Sequence, residues 1–232
     1  MEPMNKLAAW AVHAYTASGA LMGLAGVLAV VAGDVRQAFI WMFVATLVDG
    51  TDGILSRLVN VKTHTPNFDG ARLDDIVDYL TFVFLPAFLI VMAGLVPREI
   101  AYAVAGAMLM SSAYGFAAGD AKEVDADAAF FTGFPSYWNI VALYLAVLHL
   151  SPWINAAIVI GLALMVFVRI GYVYPTRTPT LKSLTLGLMA IWAVMLLAMI
   201  ALLPAPPRWL VLASLAFPIY YTVLSLVLHS RR

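Results

Sequence analysis

The sequence contains no cysteine and few charged residues. The lack of cysteine excludes disulfide bonds and thiol chemistry. Charged residues make up 11% of the 232 residues and hydrophobic residues 63%, against about a quarter and about half in an average soluble domain. Thirteen basic residues balance thirteen acidic ones, so no net charge indicates a nucleic-acid partner. The composition therefore predicts an integral membrane protein embedded in the lipid bilayer.

Apolar segments recur along the whole chain. A helix of about 20 residues crosses about 30 Å of hydrocarbon. Eight spans are predicted, with ends placed to about 2–4 residues, at roughly 8–32, 37–58, 73–95, 99–118, 136–150, 153–173, 183–203 and 208–229. The first is expected to be a retained span, since no small-residue cleavage site follows its apolar run. The prediction is one all-α domain, residues 1–232, forming a polytopic transmembrane helix bundle.

The lysines and arginines are divided unevenly between the two ends of these segments. If the N-terminus is inside, three of the thirteen lie outside: Arg36, Arg98 and Arg208. The other ten lie inside: Lys6, Arg57, Lys62, Arg72, Lys122, Arg169, Arg177, Lys182, Arg231 and Arg232. Because basic loops tend to stay in the cytoplasm, both termini are predicted to be cytoplasmic, as an even number of spans requires.

Six aspartates lie within thirty residues, at the facing ends of the second and third spans: Asp49, Asp52, Asp69, Asp74, Asp75 and Asp78. A carboxylate at the centre of a span costs about 2.5–3.5 kcal/mol, so a cluster near the membrane surface needs compensation. Two pairs have the spacing of a shared helix face, Asp49 with Asp52 and Asp74 with Asp78. These four can converge from two antiparallel helix ends. The other two are expected to be solvated caps or ion-pair partners.

Four carboxylates without cysteine or histidine at ligand spacing form an all-oxygen site, which suits Mg²⁺ or Mn²⁺ better than zinc or copper. Two such ions about 3.5–4 Å apart can clamp a phosphoryl oxygen during a displacement. Gly53 and Gly70 let a bulky ligand approach the backbone. Arg57 can bind a phosphate in a bidentate manner. His64, in the loop nearby, is expected to be a surface residue.

Read in order, these residues are Asp49-x2-Asp52-Gly53-x2-Ser56-Arg57-x12-Gly70-x3-Asp74-x3-Asp78. The string resembles the signature of the CDP-alcohol phosphotransferases, membrane enzymes that displace CMP from a CDP-linked donor with an alcohol. Ser56 stands where that family usually has alanine, and the spacing between Arg57 and Gly70 is longer than usual. This spacing, the run from Phe68 to Leu80 and the run from Phe134 to Asn139 look like the bacterial phosphatidylcholine synthase branch.

The resemblance implies transfer of the phosphatidyl group of CDP-diacylglycerol to choline, with release of CMP. It implies a site that faces the cytoplasm, in the inner membrane of a bacterium. Two Mg²⁺ or Mn²⁺ ions would be bound by four carboxylates: Asp49, Asp52, Asp74 and Asp78. Asp78 would also be the general base for the acceptor hydroxyl. The CDP pocket would be lined by Gly53, Ser56, Arg57 and Gly70.

The choline ammonium cannot donate hydrogen bonds, so aromatic faces are expected to recognise it. One candidate is Tyr79, which directly follows Asp78. The others are at predicted cytoplasmic ends of spans: Tyr137, Trp138 and Asn139 open the fifth span, and Tyr172 and Tyr174 end the sixth. The same chemistry with serine, glycerol 3-phosphate or inositol is an alternative. A phosphate-bearing acceptor would find Arg169, Arg177 and Lys182 available.

A cation transporter, in which buried acids relay ions, is a competitor of a different class. All the clustered aspartates gather at one membrane face, and no acidic residue marks the midplane of a later span, which disfavours it. Two smaller motifs carry further predictions. Gly19-x3-Gly23 permits close helix contact and suggests a homodimer. The polar run from Gly119 to Asp127 is predicted to be a solvated loop.

Overall fold

The computed structural model describes residues 2–118, 122–125, 128–175 and 178–230. The helices are α1 Glu2–Val31, α2 Val35–Leu58, α3 Val61–His64, α4 Gly70–Asp78, α5 Leu85–Met92, α6 Ala101–Ala117, α7 Trp138–Val147, α8 Pro152–Met165, α9 Lys182–Ala201, α10 Arg208–Ser214 and α11 Ala216–His229. A π-helical segment, Tyr79–Phe84, joins α4 to α5. The strands are β1 Lys122–Asp125, β2 Ala128–Thr132 and β3 Gly171–Val173.

The predicted helical bundle is confirmed, with an apolar helix in each of the eight predicted segments. Within the described residues, five helices are long and apolar enough to cross a membrane: Asn5–Val31, Val35–Leu58, Gly70–Met92, Lys182–Ala201 and Arg208–His229. The other three, α6, α7 and α8, have 17, 10 and 14 residues. At about 1.5 Å per residue, α7 covers about half of the hydrocarbon thickness. Passage of all eight segments through the membrane stays a prediction.

A small antiparallel sheet is the main difference from the predicted secondary structure. Residues 122–125 form β1, so the loop predicted there is wrong over these residues; 119–121 and 126–127 lie outside the described residues. The sixth predicted span is also too long, because α8 ends at Met165 and the chain continues into β3. β3 pairs with β2, and its backbone N–H groups donate to α11, from Gly171 to His229 Nδ1 and from Val173 to Ser225 Oγ. These partners are distant in sequence, so local patterns do not reveal them.

Helix α1 packs closely against the helix that carries half of the aspartates. A Cβ on Gly19 would lie 2.5 Å from Val77 Cγ1, and one on Gly26 would lie 2.4 Å from Leu85 Cδ2. A Cβ on Gly23 would lie 3.6 Å from Thr81 Cγ2, an ordinary van der Waals contact. The close helix contact predicted from Gly19-x3-Gly23 therefore occurs within one chain. The homodimer suggested by this motif stays a prediction.

The apolar core lies behind the aspartate-bearing helices, between α5, α6, α7 and α8. Trp138 is fully buried there, and its Nε1 donates to Ser112 Oγ at 2.7 Å. Leu85, Leu89 and Met108 are also fully buried. The hydrogen bond of Trp138 joins the start of α7 to α6. Three arginines of the charge analysis, Arg177, Arg231 and Arg232, lie outside the described residues.

Candidate active site

Three of the four predicted metal ligands come together from α2 and α4. One carboxylate oxygen from each of Asp49, Asp74 and Asp78 lies within 4.8 Å of the other two. Around an octahedral Mg²⁺ with bonds of about 2.1 Å, adjacent oxygens are about 3.0 Å apart and opposed oxygens about 4.2 Å, so the three can ligate one cation when they draw closer together. All three residues are half-buried. The antiparallel convergence expected from the sequence is therefore present, and the donor set fits a hard divalent ion.

The fourth aspartate is held differently. Asp52 is 7% exposed, and its Oδ2 accepts a 2.7 Å hydrogen bond from Thr16 Oγ1 of α1. It lies outside the three-oxygen group but lines the same small pocket as the other acids. The carboxylate is thus fixed by α1 at the edge of the cluster, and its metal role stays a prediction.

A cleft of about 620 Å³ opens beside the acids. Thr16, Asp52 and Asp74 line both this cleft and the acidic pocket, so the two spaces adjoin. Three of the four predicted CDP-binding residues line the cleft: Gly53, Ser56 and Gly70. The fourth, Arg57, has its Nη1 3.5 Å from where a Cβ on Gly53 would stand. The acids and the candidate nucleotide residues therefore share one continuous space.

Helix α1 also closes the side of the cleft at Gly70. A Cβ on Gly70 would lie 2.8 Å from Cε1 of His13, a side chain that is only 6% exposed. His13 and Thr16 were not among the predicted site residues, because those were drawn from the aspartate-bearing segments and from the later aromatic residues. A signal was present, because two polar residues three apart share one face of an otherwise apolar helix.

Asp74 and Asp78 are positioned by α4, which has a capped start and is followed by a π-helical segment. Asp69 is the N-cap of α4 and accepts a 3.0 Å hydrogen bond from the Arg72 backbone N–H, which confirms its predicted cap role. The π-helical segment begins directly after Asp78. Single π turns inside helices are frequent at functional sites and change the direction of the side chains that follow. Asp78 thus occupies the last regular turn before the helix changes pitch.

Tyr137 is a predicted choline contact that lies within electrostatic range of the acids. It directly precedes α7 and keeps 36% of its surface exposed. The negative charges of Asp49 and Asp78 act on its phenol group. Of the predicted choline contacts, Tyr137 therefore stays a candidate for acceptor recognition.

The other predicted choline contacts are engaged in packing. Trp138 is fully enclosed, so a choline contact is not supported for this ring. The Tyr79 hydroxyl donates to the Leu109 carbonyl oxygen at 2.9 Å. Asn139 Nδ2 donates to Thr46 Oγ1 at 3.1 Å, one helical turn before Asp49. Asn139 thereby ties the start of α7 to the helix of the acids.

Comparison with known proteins extends the resemblance over most of the chain. No protein-family model matches the sequence. The phosphatidylcholine synthase of Rhizobium meliloti is 35% identical over 227 residues, covering 97% of this chain and 92% of the relative. The phosphatidylcholine synthase of Pseudomonas aeruginosa is 39% identical over 194 residues, covering 84% and 80%. That of Agrobacterium fabrum is 35% identical over 218 residues, covering 94% and 89%.

The identity extends over most of this chain and most of each relative. Together with the aspartate cluster and the adjoining cleft, it assigns the family. The chain belongs to the bacterial phosphatidylcholine synthases, a family of CDP-alcohol phosphotransferases.

Proposed function

We propose that this protein transfers the phosphatidyl group of CDP-diacylglycerol to choline, giving phosphatidylcholine and CMP, with two bound Mg²⁺ or Mn²⁺ ions. The observation that carries the proposal is the meeting of three carboxylate oxygens within 4.8 Å beside a cleft, in a chain of this family. Asp49, Asp52, Asp74 and Asp78 would hold the ions. Divalent ions in that position neutralise the phosphoryl oxygens and the charge that develops on the leaving CMP.

The chain supplies the proton transfer through Asp78. The choline hydroxyl oxygen attacks the phosphorus that carries the diacylglycerol, and the bond from that phosphorus to the CMP oxygen breaks. The hydroxyl proton passes to the Asp78 carboxylate as the new phosphorus–oxygen bond forms. A half-buried carboxylate beside two others suits this role, because their negative charges favour uptake of a proton.

The donor headgroup would occupy the adjoining cleft. Gly53 allows the nucleotide to approach the backbone, and Ser56 offers a hydroxyl. Gly70 lines the same cleft, with His13 packed where its side chain would stand. The Arg57 guanidinium, which lies beside Gly53, would bind a phosphate of the donor. All of these residues belong to one chain, so a homodimer is not needed to complete the site.

The proposed setting is the bacterial inner membrane, with the chain as a single domain and eight crossing segments. Ten of the thirteen basic residues then lie on the cytoplasmic side, together with both termini. The aspartate cluster also faces the cytoplasm, where choline enters from water and CMP returns to it. The diacylglycerol tails enter sideways from the lipid.

The function is tested with purified protein, CDP-diacylglycerol and a panel of labelled acceptors in the presence of Mn²⁺. Choline is expected to be the preferred acceptor, over serine, glycerol 3-phosphate and inositol. Product identity is read by chromatography of the lipid fraction. A clear preference for another alcohol would overturn the choline assignment while leaving the transfer chemistry in place. No transfer to any acceptor would overturn the proposed function.

Removal of the aromatic ring at Tyr137 is expected to weaken choline binding. The charges of Asp49 and Asp78, beside which a cationic acceptor would be held, act on the phenol group of Tyr137, and the residue is 36% exposed. A cation–π contact contributes about 0.5–2 kcal/mol, so Tyr137→Ala should raise the choline KM by about 2- to 30-fold. Tyr137→Phe keeps the ring and is the matched control. Equal choline KM values for the alanine variant and the wild type would remove Tyr137 from acceptor recognition.

A further inference from the structure

One wall of the cleft is built by the loop between α2 and α4, which includes the short helix α3. This loop is longer than the usual spacing of the family signature. Its cleft-lining residues are Val61, Lys62, Thr65, Pro66, Asn67, Phe68 and Asp69. The acids Asp52 and Asp74 lie where the cleft meets the acidic pocket. A nucleotide with its phosphates at the acids therefore has this loop as a boundary for its ribose and base.

The loop is fastened to α1 by buried hydrogen bonds. The Thr65 hydroxyl donates to the Val61 carbonyl oxygen at 3.0 Å and lies 2.9 Å from His13 Nε2. Because a hydroxyl has one hydrogen, His13 Nε2 is then the donor to Thr65 Oγ1. Both residues are buried, Thr65 at 5% exposure and His13 at 6%. The loop is thus held in a defined position against α1.

Phe68 is the aromatic residue that this loop contributes to the cleft lining. Its ring centroid is 4.3 Å from that of His13 and 5.1 Å from that of Trp10. These contacts support the ring on one side, while 38% of the residue remains exposed. A supported aromatic ring with a free surface is suited to stacking on a planar base, a contact worth about 1–3 kcal/mol.

We propose that Phe68 is the stacking platform for the cytosine of the donor, and that His13 is the positioning residue that holds it in place. The inference rests on the proposed function, since that function supplies the cytidine nucleotide. With the phosphates between the acids and the Gly53–Ser56 side of the cleft, the base would lie toward the loop that carries Phe68, since all of these residues line one space. His13 acts through two contacts, its hydrogen bond to Thr65 and its ring packing on Phe68.

The test measures displacement of bound donor by two probes, CMP and ribose 5-phosphate, in the presence of Mn²⁺. Phe68→Ala is expected to weaken CMP binding by about 5- to 150-fold, the range that corresponds to loss of one stacked base. Binding of ribose 5-phosphate should be unchanged, because this probe has no base. Phe68→Tyr should restore CMP binding. Phe84→Ala is the matched control, since Phe84 is 42% exposed and lies outside the cleft lining.

His13 is tested with a double-mutant cycle. His13→Ala should weaken CMP binding, and adding it to Phe68→Ala should weaken binding little further, because both changes remove the same stacking contact. Additive losses would overturn the positioning role. Unchanged CMP binding by Phe68→Ala would overturn the stacking platform, as would an equal loss for ribose 5-phosphate. These outcomes are separate from failure of the proposed function, in which wild-type protein would not form phosphatidylcholine from choline.

Discussion

Asp78→Asn is expected to lower kcat for choline by about 10²- to 10⁴-fold, the contribution of a positioned general base. The amide has the size of the carboxylate but cannot accept the hydroxyl proton at neutral pH. Asp78 stands at the last regular turn of α4, with its oxygen within 4.8 Å of those of Asp49 and Asp74. The change also removes one negative charge from the cluster, so kcat is measured at saturating Mn²⁺. Binding of CDP-diacylglycerol is expected to survive largely intact.

The control for this variant is Asp75→Asn. It makes the same chemical change on the same helix, next to Asp74, at a residue outside the three-oxygen group. Its kcat is expected to stay close to that of the wild type. If Asp78→Asn turned over as fast as Asp75→Asn at saturating metal, Asp78 would not be the base.

Removal of divalent ions with a chelator is expected to abolish turnover. Three carboxylate oxygens within 4.8 Å repel one another, and a phosphoryl donor brought next to them adds further negative charge. Transfer of a phosphoryl group depends largely on neutralising such charge, so the ion-free protein lacks the main catalytic contribution. The measurement is formation of labelled phosphatidylcholine before chelation, after it, and after readdition of Mg²⁺ or Mn²⁺.

Restored turnover on readdition separates a metal requirement from irreversible unfolding by the chelator. A Ca²⁺ readdition arm tests the size requirement, since Mg²⁺ prefers short bonds of about 2.0–2.1 Å in octahedral geometry and Ca²⁺ does not. Undiminished transfer in the presence of excess chelator would exclude metal-assisted displacement.

The acidic cluster was predictable because local periodicity and chain direction determine it. Residues four apart on α4, Asp74 and Asp78, share a face at any tertiary arrangement. The second and third apolar segments must also run in opposite directions if both cross the membrane, which brings Asp49 to the same end. Asp69 was predictable as a cap for an equally local reason, since it immediately precedes the helix that begins at Gly70.

The contribution of α1 was not predictable from the same rules. Thr16 reaches Asp52 across 36 positions of the sequence, and His13 reaches Thr65 across 52. Those contacts depend on how closely α1 approaches α4, which is set by the fit of Gly19 and Gly26 against Val77 and Leu85. Helix periodicity predicts that His13 and Thr16 share one face of α1. It does not predict which residues of other elements contact that face.

Apolar composition did not predict the lengths of all the helices. Seven of the ten residues of α7 are buried in the protein, against four of the twenty of α9. The apolar character of α7 therefore reflects contact with other helices, which hydropathy does not distinguish from contact with lipid. The end of α8 was missed for a related reason, because β3 is stabilised by β2 and by α11.

Equilibrium binding of Mn²⁺, followed by electron paramagnetic resonance, tests the central claim most directly. The wild-type protein with bound donor is expected to bind two ions. Asp49→Asn and Asp74→Asn are each expected to lose at least one of them, whereas Asp75→Asn should keep both. Wild-type protein that binds no Mn²⁺, or the same number of ions in all three variants, would contradict the assignment of the metal site to the aspartate cluster.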